Sequence, residues 1–163
     1  MLMTVVAEYR SARRSEDVAR LRRVLALRTM AATGRTQRQI AEDLGISQPA
    51  VSQQLNAKRA LDIDGGLAPA EVLLEAAAPL VKEVAASLGF SEVAVFGSVA
   101  RGEARVESDI DLLVTPPPGA TIEDMTRLRD LMERILGRSV DVVSYGGLKV
   151  GINDDILREA VLL

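Results

Sequence analysis

The 163-residue sequence predicts an α+β chain, with an all-α N-terminal unit followed by a small two-layer unit of strands and helices. Three observations carry that prediction. Two short helical patterns flank a glycine between residues 36 and 61. Three apolar runs of strand length alternate with helical patterns between residues 90 and 144. The charge also divides: residues 1–67 hold 11 Lys/Arg against 7 Asp/Glu, whereas 68–163 hold 9 against 16, which suggests two units with different partners. The join falls in LDIDGGLAPA (61–70), punctuated by Gly65-Gly66 and Pro69. The expected domains are 1–64 and 69–163, with a linker at about 61–69.

Residues 1–14 show no clear pattern, and the trio Arg10, Arg13, Arg14 is either a mobile arm or the start of the first helix. The segment 15–34 places Val18, Leu21, Leu25 and Met30 at helical spacing, with Ser15 as a plausible cap and Gly34 as its end. Thr36 then caps a short helix carrying Ile40, Ala41 and Leu44 inward; Gly45 permits a sharp turn; Ser47 caps a second helix with Val51 and Leu55 inside. Helix, glycine turn, helix is an arrangement used to bind DNA.

This passage is similar to helix-turn-helix domains of the Xre/Cro-like repressor class, whose small alanine, turn glycine and buried valine match Ala41, Gly45 and Val51. The resemblance implies that the second helix enters the major groove with its first residues against base edges. Gln48, Ser52 and Gln53 are then the base readers, and Gln54, Lys58 and Arg59, with Arg35 and Arg38, suit phosphates. The unit is only weakly basic, so useful affinity for an operator is expected from two copies, as in a homodimer.

Beyond the linker, 69–89 reads as helical and Pro79 is expected to divide it into two helices. Strands are expected at 90–96, 110–115 and 140–144. Pro116-Pro117-Pro118-Gly119 is a rigid connector, and 121–137 is a helix with Thr121 and Asp124 at capping-box-like spacing and Met125, Leu128, Leu131, Met132 and Ile135 on its apolar stripe. Tyr145-Gly146-Gly147 and a last helix from about Asn153 complete the chain.

The chemistry concentrates in EVAVFGSVARGEARVESDIDLLV (92–114). Gly97-Ser98 turns the chain out of one strand; ten residues later Asp109-Ile110-Asp111 opens the next. Residues at i and i+2 of a strand leave the same face, so Asp109 and Asp111 point together while Ile110 and Leu112 enter the core. Convergent carboxylates suit a hard divalent cation, usually Mg²⁺, which keeps waters and takes substrate phosphates as further ligands. Gly97 permits close backbone approach, Ser98 supplies a hydroxyl, and the following amides open a helix N-terminus that favours anions. Arg101 and Arg105 could neutralise further charge or face solvent. Asp141, in the Val-rich run SVDVVS (139–144), offers a third carboxylate on a neighbouring strand. Two ions bridged in that way would serve nucleotidyl transfer by in-line displacement of pyrophosphate.

Residues 69–163 resemble the minimal nucleotidyltransferases of the polymerase-beta-like superfamily, whose Gly-Ser, ten-residue gap, Asp-x-Asp pattern and third strand aspartate match Gly97, Ser98, Asp109, Asp111 and Asp141. The closing ILREAVLL (156–163) also resembles that family's C-terminal helix. The resemblance implies a small mixed sheet with flanking helices, Mg²⁺ as cofactor and a nucleoside triphosphate as co-substrate. Members are commonly paired with HEPN-type RNase toxins, which implies an antitoxin that moves AMP from ATP to a hydroxyl of the partner toxin while the helix-turn-helix autoregulates the operon. Asp141 would then act as base or second-metal ligand. Two other readings stand beside it: a non-catalytic DNA-binding repressor whose fold binds nucleotide or a partner protein, and transfer to a small molecule such as an aminoglycoside.

Composition narrows the alternatives. Cysteine and histidine are absent, which excludes disulfides, thiolate or imidazole metal sites and Ser-His or Cys-His nucleophiles. Hydrophobic residues make up 48% of the chain but only Tyr9, Phe90, Phe96 and Tyr145 are aromatic, so the core must be aliphatic. Every apolar run is broken by charge before the roughly 20 residues needed to span a bilayer, and the N-terminal charges follow rather than precede the apolar residues, unlike a secretory signal. The expected location is the cytoplasm.

Overall fold

The computed structural model describes residues 1–57, 59–149 and 154–163. Its first element, α1 (Leu2–Ala32), is one 31-residue helix. Residues 1–14 are therefore neither an arm nor a separate segment, and Ser15 lies mid-helix with its hydroxyl donating to the Ser11 carbonyl. Nothing in the sequence between Leu2 and Ala32 breaks a helix, because no Gly or Pro interrupts it. Val18, Leu21 and Leu25 bury one face against α4 (Ala70–Ser87) and α6 (Ile122–Leu136) in the main aliphatic core. Leu27 joins Ile40, Ala41 and Val51 in a second, smaller cluster under α2 (Gln37–Leu44) and α3 (Gln48–Asn56). One helix thus serves both cores.

The helix-turn-helix forms as its caps dictate. The Thr36 hydroxyl accepts from the Gln39 amide while the Gln39 side chain accepts from the Thr36 amide, Gly45 closes α2 in the left-handed conformation, and the Ser47 hydroxyl accepts from the Ala50 amide. Leu44 departs from expectation, standing exposed beside Ile46 at the turn; Ile40 and Ala41 alone of α2 reach the buried cluster.

The linker is an ordered hairpin: β1 (Asp62–Ile63) pairs antiparallel with β2 (Gly66–Leu67) around Asp64-Gly65, both at positive φ. An Asp-Gly pair favours this two-residue turn. Arg20 donates to the Ala60 and Asp62 carbonyls, and Arg13 pairs with Asp64, so α1 holds the hairpin. Pro79 does not divide the following segment. α4 continues through it, because Leu73, Leu74, Ala76 and Ala77 before the proline and Val81, Val84 and Ala85 after it are buried along one core, and Pro79 itself faces solvent. That burial outweighs the roughly 3 kcal/mol penalty of an interior proline.

A four-stranded sheet in the order β5-β4-β3-β6 completes the fold, from β3 (Ser91–Phe96), β4 (Ile110–Thr115), β5 (Val140–Ser144) and β6 (Val161–Leu162). β4 and β5 run parallel and the other pairs antiparallel, giving the expected mixed sheet. α4 and α6 cover one face, and Ala94, Phe96 and Leu113 anchor a small cluster with Val143, Tyr145, Leu148, Ile156 and Ala160. The short helix α5 (Gly97–Ala100) follows β3, a 3-10 turn spans Tyr145–Gly147, and α7 is Asp154–Glu159. The C-terminal octet is helical only to Glu159; its end is edge strand β6, where Val161 and Leu162 pair with Val95 and Ala94. The expected start of the last helix, Asn153, lies outside the described residues. No described helix is long and apolar enough to cross a membrane.

Candidate active site and nucleic-acid face

Strand register sets the carboxylates. Asp111 on β4 lies directly beside Asp141 on β5 and opposite Phe96 at the end of β3, where the chain turns through Gly97. Asp109 immediately precedes β4, so it shares Asp111's side of the strand's entry while Ile110 and Leu112 are fully buried between and after them. Asp109 and Asp141 are exposed and Asp111 is half-buried.

Gly97 is required by its position. It sits at φ +71, and a Cβ there would lie 2.3 Å from Asp111 Oδ2. Only a residue without a side chain lets the turn close this tightly on the aspartate. Ser98 follows, half-buried at the start of α5. The turn and the aspartate strand are therefore in contact, as the ten-residue spacing led one to expect.

Electrostatics mark the same place. Burial, and then the negative charges of Asp141, Asp109 and Glu159, push the Asp111 carboxyl above its ordinary pKa, against a smaller opposing pull from Arg101. Among the described residues no three acidic side chains converge into a closed ligand set. The donor chemistry suits a hard cation: carboxylate oxygens, no cysteine or histidine in the chain, and a backbone turn packed against the central carboxylate.

Glu159 was not among the residues singled out from sequence. Its Oε1 accepts from the Gly97 amide at 2.9 Å and its Oε2 from Arg101 at 2.7 Å. The Arg101 guanidinium, and secondarily the Gly97 amide, hold the Glu159 carboxyl below its usual range. No local pattern could have announced it, since its partners lie 58 and 62 residues away. Arg101 also pairs with Glu103 at 2.9 Å. Arg105 stands exposed in the loop before β4, with its amide donating to the Ser108 hydroxyl.

On the N-terminal unit, Gln48 and Gln53 are exposed on α3, with Ser52 half-buried between them. The Gln48 amide donates to Gln37, and Ser52 accepts from Asn56. Gln54 points elsewhere, lining a groove of about 750 Å³ with Arg59, Val24, Leu27, Leu44 and Ile46. Each arginine assigned to phosphates already has an acidic neighbour: Arg35 with Asp43, Arg38 with Glu42 and Arg59 with Asp62. Lys58 lies outside the described residues.

Known proteins share both units. Residues 80–163 match the model of the nucleotidyltransferase domain, and residues 19–61, where a helix-turn-helix was expected, match that of the bacterial regulatory proteins of the arsR family. A protein of Methanocaldococcus jannaschii named as a protein adenylyltransferase is 41% identical over 73 residues, covering 45% of this chain and 78% of its own length. The protein adenylyltransferase MntA of Thermococcus cleftensis is 40% identical over 80 residues, covering 49% and 81%. A solved minimal nucleotidyltransferase superposes with a TM-score of 0.53 at 45% identity, covering 57% of this chain and 95% of the other. The N-terminal helix-turn-helix is similar to the arsR family, and the chain belongs to the nucleotidyltransferase domain family.

Proposed function

We propose that this chain is a Mg²⁺-dependent protein adenylyltransferase that moves AMP from ATP to a hydroxyl of a partner protein, a HEPN-type RNase toxin, and represses its own operon through the helix-turn-helix. The observation that carries the reading is the Gly97 turn closed onto Asp111, with Asp141 in register beside it. Relatives about 40% identical are named protein adenylyltransferases, which supports AMP as the group moved and a protein as acceptor.

In this mechanism Asp109, Asp111 and Asp141 would hold the metal. Bound there, it would neutralise the carboxylates and the triphosphate and make the α-phosphorus a better electrophile. The Gly97-Ser98 turn positions the triphosphate with backbone amides and the Ser98 hydroxyl. An acceptor hydroxyl oxygen attacks the α-phosphorus, the α–β anhydride bond breaks, and pyrophosphate leaves. Asp141, exposed at the rim, takes the hydroxyl proton or remains a ligand. The exposed Gln48 and Gln53 read bases, and the surface-paired Arg35 and Arg38, before and within α2, turn to phosphates when DNA approaches. A homodimer presents two such helices to an operator, and the exposed apolar residues Leu2, Val5, Val6 and Tyr9 of α1 are available for subunit contact.

The test is incubation with Mg²⁺ and labelled nucleoside triphosphates, with and without the product of the adjacent gene. Label from ATP is expected on the partner protein. Transfer undiminished in Asp109→Asn/Asp111→Asn would refute the site. One observation favours the second reading, a non-catalytic repressor: Glu159 already occupies donors that a phosphate would use.

A further inference from the structure

The Glu159 carboxylate bridges two donors of different kinds, the Gly97 main-chain amide and the Arg101 guanidinium, one to each oxygen. Two acceptor oxygens on one anionic centre, held by a backbone N–H at a glycine turn and an arginine, make the arrangement a phosphate would be expected to form. The bridge stands beside Asp111, because the same Gly97 that donates to Glu159 is packed onto the Asp111 carboxylate. Arg101 pairs with Glu103 through Nε and with Glu159 through Nη1. In this arrangement Glu159 occupies the Gly97 amide and the Arg101 Nη1 position that a triphosphate oxygen would use.

The segment carrying Glu159 is lightly held. α7 is six residues long and has no buried residue, Ile156 and Ala160 are only partly buried, and β6 joins the sheet edge through two residue pairs. Glu159 also places a negative charge beside Asp111, and that like-charge repulsion weakens its hold on the turn.

We propose that Glu159 is an internal stand-in for substrate phosphate: the C-terminal segment 154–163 closes the triphosphate position by bridging Gly97 and Arg101, and nucleotide binds by displacing it. The inference rests on the nucleotide site proposed above and adds a gate to it. It also gives the closed geometry a role in an active enzyme, since a displaceable carboxylate keeps an anion-binding turn satisfied between turnovers.

Binding of Mg²⁺-ATP and of Mg²⁺-tripolyphosphate is measured by calorimetry on the full chain, for the unsubstituted protein, Glu159→Ala and Glu159→Gln. Glu159→Ala is expected to tighten both about tenfold, the gain that follows if the open state is about a tenth populated. Glu159→Gln, which keeps the acceptor oxygen but not the charge, is expected to fall between. Hydrogen exchange supplies the readout that a merely structural glutamate would not move: in the unsubstituted protein, adding Mg²⁺-ATP should speed exchange in 154–163. Weaker or unchanged binding by Glu159→Ala, or slower exchange in 154–163 with nucleotide, overturns the gate. If all three proteins keep their circular dichroism and none binds either ligand, the nucleotide site itself is refuted and the gate with it.

Discussion

Replacing Asp111 by Asn should stabilise the protein in the absence of divalent cations while removing the capacity to use them. Asp111 and Asp141 are register partners on adjacent parallel strands, which sets their chains about 4.8 Å apart. Unit charges no closer than that repel by at most about 3 kcal/mol at an effective dielectric of 20 and by under 1 kcal/mol in water. Asp141 is exposed and Asp111 half-buried, so solvent screening leaves about 1 kcal/mol. The sign follows from the titration: a carboxyl whose folded pKa is raised binds its proton more tightly in the native state, so its ionisation costs stability above that pKa and the cost disappears as pH falls below the ordinary carboxylate range. For a chain of this size the gain corresponds to a melting temperature higher by about 2–4 °C at pH 7. Thermal denaturation in low salt with chelator, repeated near pH 3, measures it. A variant no more stable at pH 7, or equally stabilised at pH 3, would refute the cost assigned to ionising Asp111, which comes from its burial first and from its negative neighbours second. Adding Mg²⁺ should raise the melting temperature of the parent protein and not that of Asp111→Asn.

Gly97→Ala must place a methyl 2.3 Å from Asp111 Oδ2 at φ +71, so it should destabilise by at least the roughly 1–2 kcal/mol of a left-handed alanine and abolish transfer; urea denaturation and the labelling assay measure the two effects. Leu27→Ala removes the α1 side chain that anchors the cluster beneath α2 and α3, and should cost about 2–5 kcal/mol by urea denaturation while lowering DNA affinity. Gln53→Ala should cost about 1–3 kcal/mol at a specific operator in a gel-shift titration and leave random-DNA binding unchanged; equal losses on both would remove its base-reading role.

What the sequence revealed and what it hid divide by the range of the interactions involved. Thr36, Ser47 and Thr121 cap helices through contacts three residues away, and all three bonds form. The β4 and β5 strands fall at the bounds read from apolar alternation because both are flanked by local turns. The Gly97-to-Asp111 contact was legible because a glycine turn, a short helix and a returning strand can bring those residues together within fifteen positions. Pro79 misled because a local penalty was weighed without the burial of both halves of α4, and the Asp64-Gly65 hairpin was read as linker although its turn pair was visible. Leu44 misled because an apolar residue at helical spacing need not find a cover.

Residue 159 lies at the opposite limit. Within ILREAVLL it reads as one charge on a terminal helix, and even the correct local structure, α7 followed by β6, leaves it on a short exposed element. Its role emerges only when β6 adds to the edge of β3 and carries the carboxylate to the turn at the end of that same strand. The pairing that joins the C-terminus to the sheet therefore also joins it to the site. Loss of β6 pairing should expose Gly97 and Arg101 together, which a Val161→Pro variant can test: Val161 pairs with Val95, and proline cannot supply the main-chain donor at that position of the strand edge. Faster exchange at the Gly97 amide in this variant, without loss of exchange protection in β4 and β5, is the expected result. Unchanged protection at Gly97 would mean that α7, not the edge strand, holds the carboxylate in place.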